Sequence, residues 1–216
     1  NIVNLLELED GEEVTAIISI EGFSSEEYLV MVTRAGVIKR TSLDEFAYQR
    51  KGGKIAIHLD EGDSLIFVDR TMGDADILIA TANGQGSRFA ESDVRVTGRS
   101  ARGVTGIRLR EGDQVVGAVI VENDAAWQET HHLVTITEKG IGKRVPFSNF
   151  RRKNRPNMGV RCQQITEKTG RLCGVAVATE DEDLMLITDT GTLIRIAVSE
   201  ISLLKGSSAT GVRLMR

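Results

Sequence analysis

The octet TRAGVIKR occupies residues 33–40 of this 216-residue chain, and its pattern of Thr first, Gly fourth and Arg eighth returns three more times. The later copies read TANGQGSR at residues 81–88, TEKGIGKR at residues 137–144 and TDTGTLIR at residues 188–195. Neighbouring copies lie about fifty residues apart, and self-similarity at that period is typical of solenoids, propellers and other repeat proteins. The octet therefore predicts a repeat architecture.

Two further sequence features recur with the same period. One is an acidic turn closed by glycine, at Gly11, Gly62 and Gly112 and, with a weaker flank, at Gly170. The other is a glycine that opens the last strand of each unit, at Gly53, Gly103, Gly159 and Gly211. These marks divide the chain into units at residues 9–59, 60–109, 110–165 and 166–216, with residues 1–8 as the last strand of a preceding blade. No proline- or serine-rich linker separates the units, so we expect residues 1–216 to form a single domain.

Each octet follows a short apolar run, and these runs predict β-strands. Residues 28–32, 76–80, 132–136 and 183–187 lack helical spacing and are typical of strands buried on both faces. The octet glycine supplies the positive φ of a hairpin turn, after which the chain returns through a second strand. Six positions after each octet arginine comes an apolar residue, here called the anchor: Phe46, Val94, Phe150 and Ile201. Four strands per unit around an axis indicate an all-β, propeller-like fold with about four four-stranded blades.

The composition is that of an ordinary globular protein, with 41% hydrophobic and 27% charged residues. Aromatic residues make up only 4%, so stacking on unpaired bases is not the expected main binding mode. Cys162 and Cys173 form no C-x-x-C pair, and we expect both to be buried structural thiols in a reducing cytoplasm. No apolar run approaches the roughly 18 residues of a membrane span, so no membrane partner is expected.

Charge is segregated by phase within the repeat, although the net charge of −4 alone argues against a nucleic-acid partner. Acids gather at the head of each unit and at residues 180–183, whereas residues 48–58, 95–110 and 151–161 contain bases and no acid. A ring of blades places equivalent phases at equivalent positions, so the basic stretches are expected along one edge, with the acids turned away. A band of Lys and Arg on a curved edge is the electrostatic footprint of duplex DNA binding through phosphates.

Four motifs carry a family resemblance by their order and spacing. They are NIVNLL at residues 1–6, GVTGIRL at residues 103–109, GIGKR at residues 140–144, and residues 185–195 followed by VSEIS at residues 198–202. Together they resemble the C-terminal domain of the A subunit of bacterial DNA gyrase and its paralogue in topoisomerase IV, over nearly the whole chain. The resemblance implies a β-pinwheel, in which propeller-like blades exchange a strand and DNA wraps around the basic perimeter.

The same resemblance implies partners and a setting. The expected partners are double-stranded DNA, the rest of the gyrase A subunit, and the gyrase B subunit in a heterotetramer at the nucleoid of a bacterial cytoplasm. The intact enzyme would introduce negative supercoils with ATP. ATP and Mg would bind other parts of that enzyme, so no cofactor and no metal are expected in this chain.

The chain departs from the hallmark of the gyrase family, a box reading QRRGGKG. Its nearest match is Gln49, Arg50, Lys51, Gly52, Gly53 and Lys54, followed by Ile55 in place of the last Gly. By order along the family, residues 1–8 follow the blade that bears the box. We therefore interpret residues 49–54 as a box-like relic in a later blade, and expect the chain to bind and bend DNA but to wrap it incompletely.

The expected DNA-binding residues are bases of the acid-free stretches, of the last unit and of the octets. They are Arg50, Lys51, Lys54, Arg95, Arg99, Arg102, Lys143, Arg144, Arg151, Arg152, Lys153, Arg155, Lys205, Arg40 and Arg88. The octet arginines, which include Arg195, have a second interpretation, because their stems could pack against the next blade instead of contacting phosphate.

No residue of the chain is expected to be catalytic. The resemblance places the DNA-cleaving tyrosine in another domain, and neither Tyr28 nor Tyr48 has its context. Tyr28 is expected to pack; for Trp127 packing is favoured over contact with a partner. His131 and His132 point to opposite faces of a strand, so they cannot hold one metal ion together. Two functions remain open: a DNA-wrapping accessory domain of gyrase or topoisomerase IV, and a propeller that docks protein partners through its acidic loops.

Overall fold

The computed structural model describes residues 8–48, 50, 52–206 and 208–215. The strands of these residues are β1 Tyr28–Thr33, β2 Val37–Ser42, β3 Leu65–Thr71, β4 Asp76–Thr81, β5 Gln85–Ala90, β6 Val104–Thr105, β7 Val115–Val121, β8 His132–Thr137, β9 Ile141–Pro146, β10 Val160–Arg161, β11 Leu172–Ala178, β12 Asp183–Ile187, β13 Leu193–Ala197 and β14 Val212–Arg213. Short 3-10 turns follow the hairpins at Leu43–Phe46, Glu91–Asp93, Phe147–Asn149 and Val198–Glu200, and one helix, α1, spans Ala125–Thr130. Across the described ranges, no helix has the length and apolar character needed to cross a bilayer.

The four apolar runs form the first strands of four antiparallel hairpins, as predicted. β1 pairs with β2, β4 with β5, β8 with β9 and β12 with β13. The octet glycine lies in each turn with positive φ, for example 78° at Gly84 and 85° at Gly191. At Gly84 the space is also closed, because an added Cβ would lie 2.2 Å from the carbonyl oxygen of Gln163. Glycine is therefore required there by contact as well as by φ.

Each of the first three blades is completed by a two-residue strand from the following unit. The sheet orders are β3-β1-β2-β6, β10-β5-β4-β7 and β11-β8-β9-β14. β6 follows β5 in the chain but pairs with β2 of the preceding blade, and β10 and β14 return by one blade in the same way. This exchange is the β-pinwheel feature that the resemblance implied, so the all-β, propeller-like fold is confirmed.

The fourth blade contains the two strands β12 and β13 in the part of the chain that is described. The strand expected after Gly53 is not formed, since residues 53–64 contain no strand. Exchange at that position would need a hairpin before β1, which the described residues do not provide. The strand expected at residues 1–8 lies, apart from Leu8, outside the described ranges.

Hydrophobic side chains fill the spaces between neighbouring blades. Along β4, Ile77 and Ile79 belong to the cluster shared with β1, whereas Leu78 and Ala80 belong to the cluster shared with β8. All four side chains are fully buried, as period-two alternation between two covered faces requires. The anchors Val94, Phe150 and Ile201 are also buried, and Phe46 is partly buried, as predicted.

Packing between strands defines the inside and outside of the ring. β7 packs against both β3 and β11, so these three strands lie nearest to the axis. The exchanged strands β6, β10 and β14 occupy the opposite edge of each sheet. The loops that lead into the exchanged strands therefore lie on the outer rim.

The prediction that each first strand is buried on both faces is wrong for β12. Leu184 packs on the third blade, but Met185, Ile187 and Leu193 are 54%, 69% and 53% exposed. Each buried face depends on a neighbouring blade, and within the described ranges no further blade covers this face of the fourth hairpin.

The structure confirms the expectations for three single residues and corrects one. Cys162 is buried, and desolvation raises the pKa of its thiol to about 12, but Cys173 is exposed rather than buried. Trp127 packs as expected, because its ring stacks on His131 at 4.2 Å and lies 5.7 Å from Phe147. Tyr28 likewise packs, with the Arg40 guanidinium 4.7 Å from its ring centre.

Candidate nucleic-acid interface

The basic stretches form loops that follow each anchor, and the last three of these loops lead into the exchanged strands on the rim. We call these segments, residues 47–53, 95–103, 151–159 and 202–211, the rim loops; Gln49, Lys51 and residue 207 lie outside the described ranges. The last three rim loops start at a repeated attachment to the preceding blade. The backbone N–H of Thr97 donates to the Arg40 carbonyl at 2.9 Å, and that of Lys153 donates to the Arg88 carbonyl at 3.0 Å. The rim loops are thus held in register from blade to blade.

Five of the predicted DNA-binding side chains are exposed and have no hydrogen bond or ion pair to another described residue. They are Arg50, Arg95, Arg151, Lys153 and Lys205. All five lie in rim loops, and together they sample all four loops. Their charges are therefore available to an anionic ligand on the outside of the ring.

A second group of predicted residues is exposed or half-buried but already engaged. Arg102 donates to both carboxylate oxygens of Asp60 at 2.7 Å, and this hydrogen bonding holds the pKa of Asp60 below its usual value. Arg155 donates to the backbone carbonyls of Asp93 and Thr105 at 2.9 and 2.8 Å. These side chains shape the rim loops and leave only part of their donors free.

Arg152 belongs to the same engaged group and pairs with a buried acid. Its Nη2 lies 2.7 Å from Asp76, whose side chain is fully buried, and 2.5 Å from Asn123. Asp76 also accepts a hydrogen bond of 2.7 Å from Arg88. Two guanidinium groups therefore share one buried carboxylate, which compensates its desolvation.

The first two rim loops meet around an open cavity of about 530 Å³, which is lined by Arg50, Lys54, Ile55 and Arg99 among others. Lys54 donates to the Glu45 carbonyl at 3.2 Å, and Arg99 to the Ile55 carbonyl at 3.4 Å. Desolvation, followed by the charges of Arg99 and Arg50, lowers the pKa of Lys54. The loops are close enough for their positive charges to interact.

The remaining predicted residues, Arg40, Arg88, Lys143 and Arg144, are buried or nearly so. Their donors are used inside the protein: Arg40 pairs with Glu91, Arg88 with Asp76, and Arg144 with Glu180. Lys143 donates to the Ala209 carbonyl at 2.8 Å. The geometry supports the structural interpretation of the octet arginines, and their contact with DNA stays a prediction.

Sequence reasoning missed Lys39, which is 1% exposed and connects the second rim loop to the segment that follows the first one. Its ammonium group donates to the Ala56 carbonyl at 2.6 Å and to the Arg99 carbonyl. Desolvation and, less strongly, Arg99 lower the pKa of Lys39 to about 8. The sequence did contain a signal for this role, since lysine recurs at the seventh position of the octet in Lys39 and Lys143.

The acidic turns lie at the hairpin ends of the strands, but the predicted separation of charges is incomplete. Asp63 accepts from the Ala35 N–H at 2.9 Å, and Asp113 from the Asn83 N–H at 3.0 Å, so both acids hold hairpin turns. Asp60, however, reaches Arg102, and the run at residues 180–183 lies at the junction between the third and fourth blades. Acidic residues therefore contact the rim loops as well as the hairpin turns.

Comparison with known proteins places this geometry in a family. A family described as "DNA gyrase C-terminal domain, beta-propeller" matches residues 27–72, 75–122, 131–179 and 182–216. The chain is 44% identical to the A subunit of DNA gyrase from Staphylococcus epidermidis over all 216 residues, which span 24% of that protein. It therefore spans about a quarter of the curated relatives that it matches.

Solved structures agree with this assignment. One, a structure of a DNA gyrase A C-terminal domain, superposes with a TM-score of 0.86 at 27% identity, over 100% of this chain and 70% of that one. Another, the C-terminal domain of DNA topoisomerase IV, gives 0.85 at 28% identity, over 94% and 62%. The chain belongs to the family of DNA gyrase C-terminal domains.

Proposed function

We propose that the chain binds duplex DNA along its rim loops and bends or wraps it, as the accessory domain of a bacterial type IIA topoisomerase. The observation that carries the proposal is the set of five exposed bases without protein partners among the described residues, which occur in every rim loop. Phosphate contact needs such unpaired charges. Of the acids near the rim loops, Asp60 is paired with Arg102 and Asp76 with Arg88 and Arg152. Family membership supports the same function.

In the intact protein, this binding would support ATP-dependent negative supercoiling by DNA gyrase in the bacterial cytoplasm. The partners would be the remainder of the gyrase A subunit and the gyrase B subunit. ATP, Mg and the cleavage chemistry would belong to those parts. The curated relatives, which are A subunits of DNA gyrase, favour gyrase over topoisomerase IV, although solved domains of both resemble the chain.

Binding is tested with a matched pair of charge reversals. Arg151→Glu changes an exposed arginine of a rim loop, and Arg34→Glu changes an exposed arginine in the turn between β1 and β2. Arg34 lines a cavity with Ala82, Val115 and Cys173, none of which belongs to a rim loop. Both variants change the net charge equally. We expect R151E to weaken duplex binding about tenfold and to reduce the salt slope by about one phosphate contact, while R34E has little effect.

The salt dependence of the unmodified chain provides the control. Five phosphate contacts predict a slope of log affinity against log salt of about −4 to −5. A flat slope, or equal losses for the two variants, would contradict binding through the rim loops. Either outcome would favour the alternative function, a propeller that docks protein partners.

Bending or wrapping is tested separately by topology. A nicked plasmid is ligated on the bound chain, and the linking number of the product is compared with that of free DNA. We expect a shifted distribution, because a curved path around the rim constrains writhe. Tight binding with an unchanged distribution would leave binding intact and contradict wrapping.

A further inference from the structure

Three of the four octet arginines, Arg40, Arg88 and Arg144, form a repeated two-point contact between blades, which we call the clasp. At the junction of blades three and four, the Arg144 Nε donates to the anchor carbonyl of Ile201 at 2.6 Å, and the Arg144 carbonyl accepts from the Leu204 N–H at 2.9 Å. The side chain thus fixes the anchor of the next unit, and the backbone fixes the first residues of its rim loop. One residue sets both the position and the direction of that loop.

The clasp recurs at the other two junctions. Arg40 donates to the anchor carbonyl of Val94 at 3.0 Å and accepts from Thr97. Arg88 donates to the carbonyls of Phe147 and Phe150 at 3.2 and 3.4 Å and, like Arg40, accepts from the third residue after the anchor. Three repetitions at one octet position mean that the contact belongs to the repeat and not to one loop.

The three clasps differ in the burial of their counter-charge. Glu91 and Asp76, the partners of Arg40 and Arg88, are 0% exposed. Glu180, the partner of Arg144, is 64% exposed, although Arg144 itself is 5% exposed. The clasp at the junction of blades three and four can therefore be altered with the smallest loss of stability, because no carboxylate is left buried and unpaired.

We propose that the three clasp arginines, Arg40, Arg88 and Arg144, are positioning residues for DNA: they set the angle between successive rim loops, and hence the curvature of the bound duplex, without touching it. The inference rests on the proposed DNA binding. A duplex of about 30 base pairs costs several kcal/mol to bend, so the loops must hold their relative orientation against that load. The exposed bases of the rim loops attract the DNA. The clasps hold the rim loops at fixed relative orientations, so that a duplex bound to several loops must bend.

The test compares Arg144→Lys with Arg195→Lys. Lysine keeps the charge but cannot donate to both the Ile201 carbonyl and Glu180 with a planar fork. Arg195 occupies the same octet position in the fourth blade, is 72% exposed and contacts no anchor among the described residues. Binding is measured on a duplex of about 10 base pairs, and bending by energy transfer between the ends of a duplex of about 30 base pairs, both well below the unfolding temperature.

We expect R144K to change affinity for the short duplex less than about twofold while clearly reducing the end-to-end bend at saturation, and R195K to change neither. A loss of short-duplex affinity of more than about twofold would instead identify Arg144 as a direct DNA contact, whose planar fork lysine cannot replace, and would overturn the inference. An unchanged bend in R144K, or an unbent duplex on the unmodified chain, would also overturn it. Failure of the unmodified chain to bind any duplex would contradict the proposed function itself.

Glu180→Gln separates the two roles by sign. If Arg144 acts through the clasp, loss of its carboxylate partner loosens the arginine, so E180Q should reduce the bend in the same direction as R144K and by less. If Arg144 contacts phosphate, E180Q frees its charge and should increase the bend. Removal of an exposed acid raises affinity for DNA in either case, so an increased bend is the result that would reject the positioning role.

Discussion

The second and fourth blades contain the same hairpin in opposite surroundings. In both, the octet arginine donates its Nε to the aspartate that opens the first strand, at 2.7 Å in Arg88–Asp76 and 2.7 Å in Arg195–Asp183. In the second blade the two side chains are 10% and 0% exposed, and in the fourth they are 72% and 36% exposed. The repeat pattern therefore determines the hairpin and its internal contacts, whereas the energy of those contacts comes from the neighbouring blades.

The largest difference is expected from removal of the aspartate. Asp76→Ala leaves Arg88 and Arg152 facing a buried site without a carboxylate, and breaking a buried pair costs about 3–5 kcal/mol. Asp183→Ala breaks a pair in water and should cost about 0–1 kcal/mol. Urea unfolding of the two variants measures the difference. Similar losses would mean that the covering blades do not determine the strength of the pair.

Removal of an apolar side chain should give the next largest difference. Leu78 and Met185 both lie opposite the octet arginine, but Leu78 is fully buried and Met185 is 54% exposed. We expect Leu78→Ala to lower the free energy of unfolding by about 2–5 kcal/mol and Met185→Ala by less than about 1 kcal/mol. A loss of several kcal/mol for M185A would show that its face is covered in solution.

Alanine at the turn glycines separates φ strain from contact. Gly84 and Gly191 both have positive φ, so each Gly→Ala change costs about 1–2 kcal/mol. Only at Gly84 does the added Cβ meet backbone, whereas nothing lies within 4 Å of it at Gly191. Thermal unfolding should therefore show a further loss of about 1–3 kcal/mol in G84A alone. Equal changes in stability for G84A and G191A would mean that the backbone at Gln163 moves away from the added Cβ without loss of stability.

The smallest effect concerns the seventh octet position, which is Lys39 in the first blade and Ile194 in the fourth. Burial lowers the pKa of Lys39 from 10.5 to about 8, so between these pH values the unfolded chain binds more protons than the folded one. The contribution of Lys39 to the free energy of unfolding therefore rises with pH across that window. Lys39→Met should therefore reduce the pH dependence of the free energy of unfolding in this window, by the equivalent of less than one proton bound on unfolding. Ile194→Met should leave this pH dependence unchanged. An unaltered slope in K39M would contradict the assignment.

The octet and the apolar runs were sufficient to predict the hairpins, because turn glycine and strand burial are local signals. The pairing of β6 with β2 was not available from local residues, since a two-residue strand at Val104 carries no mark of its partner; only the family resemblance implied the exchange. Residue type alone also could not separate Arg95 from Arg102 in one rim loop. Arg102 is engaged by Asp60, which lies 42 positions away in sequence, so only the tertiary structure shows which base is free.

The exchanged strands also set an order for folding during synthesis. The hairpin β1–β2 acquires its outer strand when Val104 pairs with Ile38, after the next hairpin has been made. The same delay applies to β10 and β14, so each blade is completed by chain that the ribosome delivers one unit later. Domains generally fold from the N-terminus as they emerge. In this protein, each new unit instead closes the one before it, and an interrupted chain leaves its last hairpin with an unpaired outer edge.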